Sequence, residues 1–403
     1  MKLEINNLKE SNEFLNLVLE NINSAILIAD EKMRIHQFNT SFLSLFDRAA
    51  DQMIESSFGQ IAGCVNAVKE NKACGETSSC RFCILRKSLL ETLLEDCPIN
   101  RKPLERIFYI KGQPVLKNLE VTSRLIQFHG QKMTLVIIYD VSELHAQKRL
   151  LEEQQQQINH ELETASQIQK NLLPDSELEI DGIQFAWKFE PCGHIGGDMF
   201  QISKITDEYA AVHMLDVCGH GVSAALVSAT VSQFLTSLYN RMRLTGKRFT
   251  PGAVLARLEN EFPMERFDCF FTIVFAMLNL ETGHLIYSNA GHMPPFILRS
   301  SGLLDILDMH GPAIGIGFDP SFGDEEKQLY SGDRLILYTD GLIENFGPDG
   351  EREGKDRFHE FLKKSHHLPT QELVNQLFEA ADKLRFETTP SDDMSLIMVE
   401  FTK

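Results

Sequence analysis

The chain has 403 residues, of which 43% are hydrophobic and 24% charged, and its formal net charge is −18 at pH 7. This composition predicts a soluble globular protein of two domains or more, without the basic face that nucleic-acid binding needs. The N-terminal stretch MKLEINNLKE has no apolar core, and no apolar run approaches the roughly 18 residues of a membrane span, so we expect a cytoplasmic protein that neither crosses nor binds a membrane. The eight cysteines are then expected to be thiols or metal ligands rather than disulfides.

The first part of the chain mixes short strands and helices. SAILIADEKMRIHQFN predicts two strands around a turn, and NLEVTSRLIQFHGQKMTLVIIYDV predicts a hairpin, with helical patterns around Phe42–Phe46 and Leu85–Leu94 between them. This order of strand pair, helical middle and closing hairpin resembles a PAS sensor domain. YDVSE, at 139–143, is similar to the usual exit of such a domain into a helix. We therefore expect a PAS-like sensor domain over residues 1–141.

Four of the eight cysteines lie inside this predicted domain, in a stretch of only 20 positions. They are Cys64, Cys74, Cys80 and Cys83, with the spacing C-x9-C-x5-C-x2-C. Four thiolates suit Zn²⁺ or an iron–sulfur cluster, and the alternative is a set of incidental buried thiols. We favour the cluster, because a sensor needs a state that changes whereas a structural zinc ion is constant. Cys80 and Arg86 also have the C-x5-R spacing of cysteine phosphatases, but RFCIL between them has no glycine to leave backbone N–H groups free for phosphate.

Residues 142–174 contain no glycine, and their only proline is the last residue, Pro174. Apolar side chains recur every seven residues, at Leu144, Leu151, Ile158, Ala165 and Leu172. The second seam position is polar at Lys148, Gln155 and Gln169, and Leu162 and Ile168 make it apolar only in part. A seven-residue repeat places one seam on one helix face, so we expect a parallel coiled-coil linker that makes the chain a homodimer. The alternative is a solvated connector helix.

Residues 175–403 read as a third part. YAAVHMLDV and DRLILYTDG predict buried strands, DCFFTIVFAMLNLETGHLIYSNAGH a hairpin, and MSLIMVEF a closing strand. Helices are predicted for SAALVSATVSQFLTSLYN, for TPGAVLARLENEF with Thr250 as cap and Pro251 at the first position, and for QELVNQLFEAADKLRF. Strands in runs, with helices apart from them, predict an α+β sandwich.

Acidic residues stand at the ends of the apolar runs of this third part, at Asp198, Asp216, Asp340, Asp392 and Asp393. A single acid of this kind is usually a turn residue. Several together in one domain indicate a metal site, because clustered carboxylates raise one another's pKa and a divalent cation relieves the repulsion. Oxygen ligands alone select Mg²⁺ or Mn²⁺ over zinc.

A family resemblance follows from these motifs. IGGDMF, DVCGHGVSAAL, FTIVFAMLNLETGHLIYSNAGHMPPFIL, GPAIGIG, SGDRLILYTDGLIE and SDDMSLIMV occur in the order seen in bacterial PPM-type serine/threonine phosphatases. The set is similar to the SpoIIE branch, whose sigma-factor-regulating members act on phosphorylated anti-anti-sigma proteins. ELETASQIQKNLLP, at 161–174, resembles the helix that leads into that catalytic domain. The resemblance implies an αββα sandwich with two metal ions between its sheets.

Residue by residue, the resemblance implies that Asp216 bridges the two metals and that the Val217 carbonyl is a second ligand at that turn. Asp340, with one of Asp392 and Asp393, would complete the other metal position. We prefer Asp392, which aligns with the family's metal-binding aspartate.

Further positions take roles from the same resemblance. Asp198 would bind a metal or orient its water, and His220 and His292 are candidates for metal-supporting or proton-donating roles, unless they are simply buried histidines. Two departures stand out: Gln201 occupies a position where the branch often has an acid, and no arginine that would grip phosphate precedes Gly196.

The sequence therefore predicts three parts: a PAS-like sensor domain at 1–141, a coiled-coil linker at 142–174 and a phosphatase domain of αββα type at 175–403. The expected function is sensor-regulated hydrolysis of phosphoserine or phosphothreonine on an anti-anti-sigma-like protein, with water activated by two Mn²⁺ or Mg²⁺ ions. The alternative is a scaffold that binds a phosphoprotein without cleaving it.

Overall fold

The computed structural model describes residues 16–48, 56–128, 130–175, 178–317, 321–347, 351–384 and 392–403. The chain forms two compact units, Met1–Gln156 and Gln157–Lys403. Every strand pair in both units is antiparallel, and helices accompany the sheets in each, so the protein is of the predicted α+β class.

The first unit contains one five-stranded sheet in the order β2-β1-β5-β4-β3. Its strands are β1 Ala25–Ala29, β2 Ile35–Phe38, β3 Ile99–Ile110, β4 Gln113–Phe128 and β5 Gln131–Asp140. Its helices are α1 Thr40–Phe46, α2 Phe58–Ile61, α3 Val65–Glu70 and α4 Ile84–Glu95. The predicted strand pair, helical middle and closing hairpin are all confirmed.

Local chemistry accounts for these elements. Alternate residues of β1 are buried, as a strand with one face on the core requires, and the Asn39 side chain caps α1 by accepting from the Phe42 N–H. Strand β3 was not predicted, because its run INRKPLERIFYI is charged and contains Pro103. Proline is tolerated there because β3 is an edge strand and need not donate to a neighbour on both sides.

Helix α5, Ser142–Lys170, confirms the predicted linker helix and ends before Pro174. Three of its predicted seam residues are largely exposed in the single chain, Leu144 at 64%, Leu151 at 65% and Ile158 at 51%. These three side chains are left largely uncovered by the part of the chain that the structure describes, and their pairing with a second copy stays a prediction.

The second unit contains two five-stranded sheets. The first has the order β13-β10-β9-β8-β7 and the second β12-β11-β14-β15-β6. The first sheet consists of β7 Met199–Lys204, β8 Tyr209–Val217, β9 Phe271–Asn279, β10 His284–Ala290 and β13 Glu325–Gln328. The second consists of β6 Ile183–Glu190, β11 Phe296–Leu298, β12 Leu304–Ile306, β14 Arg334–Tyr338 and β15 Met394–Phe401.

Helices cover the outer face of each sheet. They are α6 Val222–Thr245, α7 Pro251–Glu261, α8 Met264–Phe267, α9 Asp340–Phe346, α10 Glu351–Ser365 and α11 Thr370–Leu384. Helices α6 and α7 pack on the first sheet, and α9 and α11 on the second. On β14, Leu335 and Leu337 belong to the core shared by the two sheets, whereas Ile336 and Tyr338 belong to the core beneath the helices. The predicted αββα sandwich is thus confirmed.

Helix α6 differs from the expectation that no run would be long and apolar enough to span a membrane. Among the described residues it alone meets the length and composition of a membrane-spanning helix. It packs against β7 and β8, and its buried side chains include Val231 and Leu235. Its apolar face is therefore occupied by the core of this unit.

Candidate active site

The predicted acids meet at one end of the sandwich. Asp198 immediately precedes β7 and Asp216 lies near the end of β8, both in the first sheet. Asp340 begins α9 after β14, and Asp392 and Asp393 precede β15, both strands of the second sheet. Because β8 contacts β14 across the interior, acids from the two sheets are brought face to face.

Asp198 is tied to the second sheet. It is 1% exposed, and its Oδ2 accepts hydrogen bonds from the hydroxyls of Thr339, at 2.8 Å, and Ser395, at 2.6 Å. Burial raises the pKa of Asp198 well above its ordinary value, and the charges of Asp216 and Asp393 raise it further. The two hydroxyls act in the opposite direction because they stabilise the ionised carboxylate. Asp198 is therefore held rigidly where negative charge is costly.

Asp216 lies at the centre of the acid cluster. Burial first, and then the neighbouring carboxylates, raise its pKa to about 7. Burial is also the largest cause of the raised pKa values of Asp340 and Asp392. The charge of Asp392 is the second cause of the raised pKa of Asp340. Four carboxyl groups that disfavour one another's ionisation form a set that a cation would stabilise.

Asp393 is engaged elsewhere. Its Oδ1 accepts from the Cys192 N–H at 2.9 Å, and its Oδ2 from the Gly197 N–H at 2.6 Å. A Cβ at Gly196 would lie 2.3 Å from Asp393 Oδ2, so only glycine allows this approach. Asp393 thus anchors the loop that leads into β7, and Asp392 is the freer of the two acids. This arrangement favours Asp392 as the metal ligand.

Cys192, Asp392 and Asp393 form the one set of three in the described residues whose candidate ligand atoms lie within 4.8 Å of one another. Burial, followed by the charge of Asp393, raises the pKa of the Cys192 thiol to about 11. A thiol that stays protonated at neutral pH is a poor metal ligand. Because both oxygens of Asp393 already accept backbone N–H groups, Asp392 is the candidate ligand of this set.

The turn after β8 has the sharp geometry that its two glycines predict. Gly219 has φ +91° and Gly221 has φ +80°, values that favour glycine. His220 between them is exposed, and its charge lowers the pKa of Asp392, so its ring lies near the acid cluster. The buried Val217 carbonyl, predicted as a ligand, belongs to the same turn. The metal-binding roles of these residues stay predictions.

His292 is in a different position. Its Nδ1 lies 2.8 Å from the Thr272 hydroxyl, and its backbone bonds with the Asn289 side chain at both N–H and carbonyl. Burial lowers the pKa of His292 to about 4, so the ring is neutral at physiological pH. A neutral, hydrogen-bonded ring supports the local structure and has no proton to give as an imidazolium.

Sequence reasoning missed the role of Gln169, which it assigned to the polar seam of the linker. Gln169 is buried within its own unit, and its side chain makes two bonds with Gly196: Nε2 donates to the carbonyl at 2.7 Å, and Oε1 accepts from the N–H at 3.1 Å. Gln201, the departure from the family pattern, donates from Nε2 to the Leu172 carbonyl at 3.2 Å. The end of α5 is thus joined to the loop that carries Asp198.

The predicted sensor cysteines are also brought together. Cys64, Cys74 and Cys83 line one small cavity of the first unit, and Cys80 lies in the 3₁₀ turn beside it. The Cys80 sulfur accepts from the Gly75 N–H and contacts the Thr77 hydroxyl, and no glycine-rich cradle follows it. The arrangement gives no support to a cysteine-phosphatase loop.

Comparisons with known proteins identify two regions. The family model described as "Stage II sporulation protein E (SpoIIE)" matches residues 206–402, and a PAS domain model matches residues 13–78. The SiaA-PP2C domain of Pseudomonas aeruginosa superimposes with a TM-score of 0.52 at 22% identity, covering 61% of this chain and 98% of that domain. This likeness supports the PP2C fold of the second unit.

Three curated relatives resemble the chain in sequence. Protein IcfG of Synechocystis sp. is 30% identical over 242 residues, which cover 53% of this chain and 37% of IcfG. Phosphoserine phosphatase RsbU of Bacillus subtilis is 25% identical over 74% of this chain and 86% of RsbU. Phosphoserine phosphatase RsbP of the same organism is 26% identical over 60% of this chain and 57% of RsbP. The chain thus spans about a third of IcfG and somewhat over half of RsbP. With the acid cluster and the sandwich, these matches show that the second unit is a SpoIIE-type domain with the PPM (PP2C) fold and that the N-terminal part of the chain carries a PAS domain.

Proposed function

We propose that the chain removes phosphate from phosphoserine or phosphothreonine on a regulatory protein, under the control of its PAS domain. The observation that carries this proposal is the convergence of Asp198, Asp216, Asp340 and Asp392, whose pKa values are all raised by burial. An all-oxygen site of this kind suits two Mn²⁺ or Mg²⁺ ions better than zinc. The names of RsbU and RsbP, both phosphoserine phosphatases, support the same chemistry.

The position of each residue in the site suggests its role in this proposal. Ions bound there would lower the pKa of a bound water and offset the charge of the phosphoryl group. Asp216 and the Val217 carbonyl would hold them from the first sheet, and Asp340 and Asp392 from the second. Asp198, fixed by two hydroxyl donors, would orient the attacking water.

Proton delivery would come from a second group. His220 is exposed beside Asp392 and is placed to give a proton to the serine oxygen as it leaves. A cavity of about 290 Å³ adjoins it, lined in part by Cys218, Ser223 and Asp268. We propose that this open face receives the phosphorylated segment of the partner.

The partner is, in this proposal, an anti-anti-sigma-like phosphoprotein in the cytoplasm. The resemblance to sigma-regulating phosphatases supports this class of partner, and the net charge of −18 speaks against nucleic acid. A scaffold that binds the phosphoprotein without turnover is the alternative, and the retained acid cluster speaks against it.

A direct assay separates these functions. Full-length protein is mixed with phosphoserine, phosphothreonine and phosphotyrosine peptides and with a phosphorylated anti-anti-sigma protein, and released phosphate is measured with Mn²⁺, with Mg²⁺ and with EDTA. We expect metal-dependent release from the serine and threonine substrates and none in EDTA. Binding of the phosphoprotein without release under any metal condition would favour the scaffold.

A further inference from the structure

An arginine lies in the apolar row of an edge strand of the first unit. On β3 the side chains of Leu104, Arg106 and Phe108 share one face, because they alternate with more exposed residues. Leu104 and Phe108 belong to the core of this unit, and Arg106 between them is half-buried. A guanidinium group in such a row loses contact with water, so it needs polar partners within the protein.

The side-chain partners of Arg106 are two cysteine sulfurs. Its Nη1 lies 3.5 Å from the Sγ atoms of both Cys64 and Cys83. None of the arginine–carboxylate ion pairs in the described part of the chain involves Arg106. Burial alone would lower the pKa of Arg106, but the charges of Cys83 and Cys64 and their hydrogen bonds leave it raised. The guanidinium group and the two sulfurs are therefore matched electrostatically when the sulfurs are ionised.

Separate elements hold the two sulfurs beside this arginine. Cys64 is the N-cap of α3, and its backbone forms an antiparallel bridge with Phe108, two residues from Arg106 on the same strand face. Cys83 is the N-cap of α4, a helix of 12 residues whose dipole favours negative charge at this end. Both cysteines are buried, and both are free thiols.

The two sulfurs are close enough for side-chain rotation to join them. Because both lie 3.5 Å from one Nη1 atom, they are separated by no more than twice that distance. An S–S bond of about 2.05 Å therefore requires one or both side chains to turn toward the other. A cavity of about 20 Å³, which Cys64, Cys83 and Arg106 line together, leaves free space for this movement.

The other two cysteines of the sequence motif are placed differently. Cys80 lies outside the lining of this cavity, and its sulfur accepts from the Gly75 N–H at 3.1 Å and contacts the Thr77 hydroxyl at 2.9 Å. Cys74 lines the cavity, with its sulfur packed against Gly59. No three of the four sulfurs, all of which lie in the described residues, are within 4.8 Å of one another. This spacing gives no support to the iron–sulfur cluster that the sequence favoured, because a cluster needs its ligands around one centre.

We propose that Cys64 and Cys83 form a disulfide when the chain meets hydrogen peroxide, with Arg106 favouring the ionised sulfurs that react. One thiolate attacks the peroxide O–O bond and becomes a sulfenic acid, and hydroxide leaves. The second thiolate attacks that sulfur, and the departing hydroxide takes up a proton to become water. In total, two thiols lose two protons and two electrons, and one peroxide becomes two water molecules. This modification site lies in the first unit and does not depend on the phosphatase activity.

The first test maps the bond directly. Reduced full-length protein is treated with hydrogen peroxide, free thiols are alkylated at timed intervals, and linked peptides are identified by mass spectrometry without reduction. We expect a peptide pair joined through Cys64 and Cys83 as the main product, and a dithiol reductant should return both thiols. Another main pairing, or oxidation to sulfinic acid without a linked peptide, would overturn the proposal.

A pair of arginine variants tests the role of Arg106. Arg106→Leu continues the apolar row of β3, so the fold should be retained. Arg101→Leu is the matched control, because it removes an exposed arginine from the same strand. We expect Arg106→Leu to form the disulfide about tenfold more slowly than the wild type, since a thiolate is favoured by a neighbouring cation, and Arg101→Leu to react as the wild type. Equal rates in all three proteins would overturn the proposed role of Arg106.

A metal measurement separates this proposal from a metal site. Zinc and iron are measured in protein purified without oxygen and without chelator, and the cysteines are then alkylated with and without chelator, before any peroxide is added. We expect Cys64 and Cys83 to be alkylated equally in both samples. Zinc or iron in amounts that match the chain, with these two thiols unreactive until the chelator is added, would overturn the proposal, because metal-bound sulfurs are not free to attack peroxide.

Discussion

Asp392 and Asp393 are neighbours in the chain, but their side chains have different hydrogen-bond partners. Both oxygens of Asp393 accept backbone N–H groups, from Cys192 and Gly197, whereas Asp392 faces Asp340. The sequence placed both acids at the site, and the family resemblance preferred Asp392. No pattern in the sequence could show which acid has its oxygens occupied, because the partners lie about 200 positions away.

This difference predicts that substituting Asp392 lowers metal affinity, whereas substituting Asp393 lowers the stability of the fold. Asp392→Asn should weaken Mn²⁺ binding at least tenfold with little change in Tm, because it removes an anionic ligand from a half-buried position. Asp393→Asn should destabilise the fold by about 1–3 kcal/mol, since asparagine has one acceptor oxygen for two buried N–H groups. Calorimetric titration and thermal unfolding measure the two effects. The reverse pattern would assign the metal to Asp393.

The raised pKa of Asp216, about 7, predicts how pH changes the stability of the metal-free protein. Its unfolded-state pKa is near 3.9, so between about pH 4 and 7 the folded state holds a proton that the unfolded state has lost. Stability should therefore fall as pH rises through this range, and Asp216→Asn should remove that part of the loss. In EDTA at pH 8 the variant should unfold at a higher Tm than the wild type.

The comparison at pH 5 is the control, because Asp216 is protonated in the folded state there and the two proteins should differ less. Each kcal/mol of difference in the free energy of unfolding should shift Tm by about 2–4 °C. Equal Tm differences at both pH values would mean that Asp216 does not titrate as a buried carboxyl.

At the scale of elements, periodicity predicted most of the structure. The strand runs of the sandwich and the linker helix follow hydrophobic patterns of period two and about 3.6 to within a few residues. The misses have physical reasons. Strand β3 is charged and contains Pro103, and an edge strand tolerates both features. Gln169 has the sequence position of a solvated seam residue, and only the folded structure shows its contact with Gly196.

The exposed apolar seam of α5 leads us to predict that the chain forms a dimer through this helix. Leu151→Asp should shift the chain from dimer toward monomer, because it places a charge in the apolar seam. His160→Asp is the matched control: nine residues along a helix turn the side chain by about 180°, so the same charge lies on the opposite face. Light scattering over a concentration series reports the mass. Equal masses for both variants and the wild type would place any dimer contact elsewhere.

At the scale of the whole molecule, α5 runs from the sensor unit into the phosphatase unit, where Gln169 holds the loop before Asp198. Coupling between two sites needs an element that both can bias. Cys80→Ser with Cys83→Ser should therefore change the phosphatase rate of the full chain by about fivefold or more. The control is a chain that begins near residue 175, which lacks both the linker and the sensor cysteines and gives the turnover of the phosphatase unit without its sensor. Unchanged turnover of the full-length variant would mean that the four cysteines are structural or incidental.

We propose that carboxylates contributed by both sheets bind the metal ions that activate water for the hydrolysis of phosphoserine. The most direct test of this proposal is phosphate release from a phosphoserine substrate, in Mn²⁺, by the full-length wild type, by Asp340→Asn and by Asp207→Asn. Asp207 is an exposed acid that pairs with Lys204 away from the site, and it controls for the loss of one negative charge. We predict turnover at least a hundredfold lower for Asp340→Asn, with an unchanged Tm and with Asp207→Asn active as the wild type. Near-normal turnover by Asp340→Asn in Mn²⁺ would contradict the two-metal account.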